Sequence, residues 1–348
     1  MQTIFEFRVP EMYANALFHQ TEGIRLGDTV RKISLYGDDP RLPQVGELDK
    51  LIRAQASEPP RYFFSGWSVQ RRYTQQELLA AEILQLYPTY IIDTSGELCG
   101  TKYDESVACP QCGGGARQIS GLRLDLRKLP KIKDIARTTA GEVIVSQRLA
   151  EFLVDSDARG FELGLVQHNA IYEDDPFDLN NAFIGRDILK AAANAGCPHP
   201  TGRFWIWLNR IENRDVYKRA IQEYVDSKSG SKSPTQRLVP AWHQLIFTSA
   251  VDVVPPTSAG IDPFDADNNG ETYCLRGDTI GLNQLTELSV SRAMFLECDL
   301  DVVYTKQRFG VRRGLLRPES AIVISPRMWR LLEQSKMKGL RYEVAYLR

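Results

Sequence analysis

The sequence predicts an α+β (mixed α/β) protein in two lobes, on three observations. A strand-helix-strand pattern occurs twice, a cysteine-rich turn segment reads as a small zinc-ribbon-like hairpin, and the length is large for one core. At 348 residues the chain exceeds the size at which a single hydrophobic core stops growing. Lobes of 1–175 and 176–348 are expected. The first would hold the ribbon-like segment 90–120 and the first repeat, 142–166; the second would hold the other repeat, 321–345. A content of 43% hydrophobic and 25% charged residues is ordinary for a globular protein. The net charge of -1 gives no global pull toward nucleic acid or an anionic membrane.

Taken in order, Met1 to Arg8 alternates as a strand does and lacks the basic start and apolar run of a signal peptide. Residues 1–70 otherwise mix short apolar runs with Pro and Gly and read as strands and loops. Thr74-Gln75-Gln76-Glu77 is a capping box, in which hydroxyl and carboxylate satisfy orphan amides at a helix start. Leu78, Ala81, Ile83, Leu84 and Leu86 then predict an apolar helical stripe as far as Pro88. Tyr90-Ile91-Ile92 is β-type sequence leading into the cysteines. No window approaches the roughly 18 apolar residues of a membrane span. Six cysteines dispersed through the chain suit a reducing, cytoplasmic setting.

Cys109-Pro110-Gln111-Cys112-Gly113 has the spacing of a zinc knuckle, and Cys99-Gly100 is the second half of another in which Gly96 stands where a cysteine would. The expected zinc ligands are Cys99, Cys109 and Cys112, with water, His168, His199 or Cys197 as the fourth donor. Cys274 and Cys298 are expected to pack as small apolar groups. Leu122 to Leu126 alternates as a half-buried strand.

The repeat aligns Val143-Ile144-Val145-Ser146-Gln147-Arg148 with Ile322-Val323-Ile324-Ser325-Pro326-Arg327, and Gly160 with Gly339, without a gap. In each copy an apolar strand ends at a Ser able to cap a helix, and Pro326 takes the first helical position. Leu149, Phe152 and Leu153 match Met328, Leu331 and Leu332 as one stripe. The glycine then stops the helix before a second strand. Between the copies, residues 178–196 and 215–225 read as helices, 203–208 and 242–247 as strands, and 227–234 as a linker-like loop.

Other constellations offer little chemistry. Asp265 to Gly270 resembles the first half of a calcium loop, but Arg276 stands at the twelfth position where a bidentate Glu belongs. The run Gly113-Gly114-Gly115 lacks a phosphate-loop lysine. The histidines His19, His168, His199 and His243 show no metalloprotease spacing, and no catalytic or cofactor-binding set is predicted. The best local basic cluster is Arg308, Arg312, Arg313 and Arg317 around Phe309-Gly310.

The order Cys99-Gly100-Thr101-Lys102-Tyr103-Asp104, Cys109 to Gly113, Leu124 to Pro130, Asp134-Ile135-Ala136 and Val145 to Arg148 resembles the double-CXXCG-motif family of bacterial proteins. The resemblance covers about residues 70–170, and Gly96 departs from it. That family is related to immunity proteins of polymorphic toxin systems. It implies a non-enzymatic, cytoplasmic factor that binds and occludes a cognate protein toxin, with no membrane or nucleic-acid partner. The alternative is an enzyme or nucleic-acid-associated factor with its site between the two lobes, using the arginines around Phe309.

Overall fold

Residues 1–72 build a four-stranded antiparallel sheet. β1 (Gln2–Pro10) lies between β3 (Val30–Tyr36) and β4 (Gly66–Arg72), and β2 (Ile24–Leu26) edges β3. Alternate residues Phe7 and Val9 of β1 and Ile33 and Leu35 of β3 face one core with Phe63 and Phe64, as the two-residue period of a strand requires. The helix Leu42–Ala54 covers that face through Val45. The computed structural model describes residues 1–55, 61–92, 94–169, 241–260, 263–264, 274, 276–278, 283–310 and 317–348. The elements expected at 178–196, 203–208, 215–225 and 227–234, and the Asp-rich turn at 265–270, lie outside these.

The remaining strands are β5 (Ile83–Pro88), β6 (Ile91–Ile92), β7 (Tyr103–Asp104), β8 (Arg117–Gln118), β9 (Arg123–Leu124), β10 (Ile135–Thr138), β11 (Val143–Ser146), β12 (Phe161–Leu165), β13 (Gln167–His168), β14 (Trp242–Phe247), β15 (Ala250–Val251), β16 (Ala259–Gly260), β17 (Asn283–Gln284), β18 (Ser289–Val290), β19 (Val302–Phe309), β20 (Glu319–Ile324) and β21 (Leu340–Leu347). They form two larger sheets, ordered β12-β14-β11-β10-β6 and β18-β21-β5-β20-β19-β15. The fold is mixed α+β.

The two sheets have the same plan. Ile135 of β10 faces Val145 of β11, and Val302 of β19 faces Ile324 of β20, both antiparallel. β14 lies antiparallel between β11 and β12, as β5 lies between β20 and β21. β6 runs parallel to β10, as β15 runs parallel to β19. β13 runs parallel to β9 as β21 does to β18. The Thr89 amide donates to the Gly339 carbonyl at 2.8 Å, and the Thr248 amide to the Gly160 carbonyl at 3.1 Å.

Each sheet is completed by a strand from the other part of the chain. β5 precedes the first repeat yet lies within the second sheet, and β14 follows it yet lies within the first. Strands from both sides of the expected 175/176 division therefore share both sheets. They also share one core, to which Leu84, Val145, Leu149, Leu153, Ile324, Met328 and Leu332 contribute.

The helices Gln147–Asp155 and Pro326–Gln334 start as the sequence predicts, with the Ser146 hydroxyl accepting from the Leu149 amide and the Ser325 hydroxyl from the Met328 amide. Both caps are held crosswise. Asp134 accepts from Ser146, from Arg148 at 2.8 Å and from the Lys338 amide at 2.7 Å. Asp301 accepts from Ser325, from Arg327 and from the Arg159 amide at 3.2 Å. The glycines close against the opposite half as well. A Cβ on Gly160 (φ +113°) would stand 1.8 Å from the Val302 carbonyl oxygen, and one on Gly339 (φ +98°) 2.9 Å from that of Ile135.

One expectation is corrected outright. The capping box at Thr74 forms, but its helix is Gln75–Ala80, and Ala81 turns extended at φ -67°, ψ 135°. Ile83, Leu84, Gln85 and Leu86 are 0–5% exposed because β5 is flanked and covered on both faces. A run buried on every side has no periodicity by which helix and strand differ. The strand expected over 122–126 is short: β9 is followed by a 3-10 turn, Leu126–Lys128.

Candidate metal centre

Two small hairpins hang from equivalent places on the two sheets. In the first, Tyr103 of β7 faces Gln118 of β8; in the second, Ala259 of β16 faces Gln284 of β17. Gln118 exchanges hydrogen bonds of 3.0 and 2.8 Å with Gln244 of β14. Gln284 accepts one of 3.0 Å from Gln85 of β5. The segment joining β7 to β8 carries Cys109 and Cys112, and that joining β16 to β17 carries Cys274.

The two segments meet. Their three sulfur atoms lie within 4.8 Å of one another, with Cys112 and Cys274 3.7 Å apart. All three residues are buried, at 0–6% exposure. Backbone amides point at the sulfurs: Gly114 N lies 3.3 Å from Cys112 Sγ, and Arg276 N 3.4 Å from Cys274 Sγ. Gly113, Gly115 and Gly277 take φ of +72°, +85° and +78°, the left-handed turns that aim these amides inward. Arg276 Nη1 ties the two segments together by donating to the Val107 carbonyl at 2.8 Å. Asp278, also buried, places Oδ2 3.4 Å from Cys112 Sγ.

The electrostatics divide the pair in the first segment. The amides of Cys112 and Gln111 draw the Cys109 thiol below its ordinary range. Burial pushes Cys112 up to about 12, against the Gly114 amide and with the help of Cys109, Cys274 and Asp278. A cation bound there would displace the thiol protons, since thiolates are the ligating form. Three sulfur donors at this separation can hold a metal ion.

The expected ligand set is corrected at Cys99. Its thiol lies apart from the sulfur triangle, near Asp125, Lys128 and Glu142, and burial raises it to about 11. The turn from Gly96 to Gly100 keeps a knuckle's shape, with Gly100 at φ +86°. No cysteine fits at 96, however, since a Cβ there would come within 2.5–2.8 Å of Leu122, Thr101 and Glu142. The Gly96 amide instead donates to Glu142 at 3.0 Å. His168 is not in the triangle; its Nδ1 accepts from the Leu126 amide at 3.3 Å. His199 and Cys197 lie outside the described residues, as does the side chain of Cys298. Cys274, expected as apolar packing, is the third sulfur. Its one local signal is a glycine three residues on, as after Cys112.

The basic cluster is also redistributed. Arg308 gives its backbone amide to Asp278 Oδ1 at 2.8 Å, and Arg317 is buried against Glu97 and Glu105 with its guanidinium 4.5 Å from the Tyr103 ring centre. Arg312 and Arg313 are outside the described residues. A cleft of about 660 Å³ opens beside Phe309, Gly310 and Arg317 and is lined also by Arg71, Gln85, Tyr87, Arg137, Gln284 and Arg341. Arg71 and Arg341 share the buried Glu343, each at 2.9 or 2.8 Å, and Arg137 pairs with Glu319. No helix among the described residues is long and apolar enough to cross a membrane. No protein-family model, no curated protein and no solved structure matches the chain.

Proposed function

We propose that the chain is a non-enzymatic protein-binding factor of the immunity type, which neutralises a cognate bacterial toxin by occluding it. In this reading a zinc ion held by Cys109, Cys112 and Cys274 braces the two hairpins, the first of them a zinc ribbon. The burial of the sulfur triangle is the observation that carries it: a closed thiolate site serves folding, whereas a catalytic one keeps an open position. Soft thiolate donors favour zinc over harder divalent ions. The motif order around Cys99 to Arg148 supports the attachment to toxin immunity. The matched strands, caps and glycines support an origin of 83–169 and 242–348 by internal duplication.

Elemental analysis of the purified chain should find one zinc per molecule. Cys274→Ser should lose it and melt at a lower temperature, while Cys99→Ser should retain it. Coexpression with the toxin encoded beside its gene should restore growth and yield a one-to-one complex. Survival of toxicity, with no complex formed, would sink the immunity reading.

A second reading is favoured by the cleft. Arg71 and Arg341 have only Glu343 between them, which leaves one positive charge in excess on the cleft wall. A small anionic ligand fits that chemistry. Thermal-shift titration with phosphate and nucleotides tests it, and no shift at millimolar concentration would remove it.

A further inference from the structure

We infer that Asp278 is the fourth donor of the metal centre, so that each hairpin contributes a pair of ligands: Cys109 with Cys112, and Cys274 with Asp278. The inference rests on the zinc reading above. Its first support is position. Gln118 and Gln284 occupy the same place in the two hairpins, by strand register and by their contacts with Gln244 and Gln85. Counting back from each, 118 - 112 = 6 and 284 - 278 = 6, so Asp278 stands where the first hairpin has Cys112. Cys274 precedes Asp278 by four residues and Cys109 precedes Cys112 by three.

The second support is distance. Zinc-sulfur bonds of about 2.3 Å and zinc-oxygen bonds of about 2.0–2.2 Å make tetrahedral edges of roughly 3.8 Å between sulfurs and roughly 3.5 Å between sulfur and oxygen. The Cys112–Cys274 separation of 3.7 Å and the Cys112–Asp278 separation of 3.4 Å are such edges. Asp278 meets the triangle at the Cys112 corner and is not within 4.8 Å of all three sulfurs. Filling the site therefore draws the 274–278 turn inward.

The third support is how the carboxylate is held. Asp278 is 1% exposed, its Oδ1 takes the Arg308 amide, and its Oδ2 is left for the sulfurs. Gly114 keeps the approach clear, because a Cβ there would lie 2.8 Å from Oδ2 and 3.2 Å from Cys112 Sγ. The guanidinium of Arg308 is 3.8 Å from Oδ1. A buried carboxylate in contact with the Cys112 thiol gains further charge compensation from a divalent ion.

X-ray absorption on the zinc-loaded full chain should show three sulfurs and one oxygen, and on Asp278→Cys four sulfurs. Asp278→Ala should bind zinc about tenfold to a hundredfold more weakly in competition with a chromophoric chelator. Three sulfurs in Asp278→Cys, or unchanged affinity in Asp278→Ala, would overturn the assignment while leaving the zinc brace intact. A wild-type chain that takes up no zinc would overturn both.

Discussion

Gly160 shows what one residue is required to be. Its φ of +113° is closed to side chains, and the Val302 carbonyl occupies the place of a Cβ. Gly160→Ala should cost at least about 3 kcal/mol, because strain and overpacking coincide. Gly27, at φ +70° with nothing within 4 Å of its missing Cβ, should lose only about 1 kcal/mol on the same change. Urea denaturation of the two variants compares them directly. Asp134 is the residue whose charge reports on the crosswise contact. Burial acts to raise its pKa, but the Arg148 side chain, the Lys338 amide and the Ser146 hydroxyl outweigh burial and hold it below the usual carboxylate range. A lowered folded pKa gives stability that is complete above the unfolded value, about 3.9, and is lost as pH falls through the folded one. Asp134→Asn should therefore flatten the acid limb of the stability curve below about pH 4 while lowering the plateau near neutrality. Titration of the denaturation midpoint from pH 7 to 2 measures both.

At the scale of elements, β5 joins what the sequence separates. Leu84 is fully buried between the two helices' core residues, so Leu84→Ala should destabilise by about 2–5 kcal/mol. Leu79, on the short helix before it and 51% exposed, should change by less than about 0.5 kcal/mol when made Ala. Chemical denaturation of the two variants measures the difference. Elements with local punctuation were legible: the caps at Ser146, Ser325 and Thr74, and the β14 run; the stops were misplaced, since the helices end at Asp155 and Gln334 with Asp157 and Lys336 in the left-handed turn, and Gly160 and Gly339 instead lead into the next strands. The extent of β5 was not, since its neighbours β20 and β21 decide its form and lie more than two hundred residues away in the chain. The metal centre divides in the same manner. Cys109 and Cys112 announce themselves by spacing, whereas Cys274 and Asp278 become visible only once the hairpins are superposed. Gly96 misled in the opposite direction: its turn packs around Glu142 and leaves Cys99 apart from the three sulfurs.

Across the whole molecule, the two halves of the sheet system behave as one body because their polar locks and their core are shared. Met328 is fully buried against residues of both helices' cores. Met328→Ala should therefore accelerate amide exchange in the helix Gln147–Asp155 as well as in its own helix Pro326–Gln334. Hydrogen-exchange mass spectrometry separates this from two independent lobes, for which the effect would stay within the second helix.

The placement of β5 also sets a timetable for synthesis. β5 leaves the ribosome roughly 250 residues before β21, its long partner, a wait of about 12–50 seconds at the ~5–20 residues per second of translation. For that interval a largely apolar strand has neither of its neighbours, and any factor that shields nascent chains would find a target at residues 83–88.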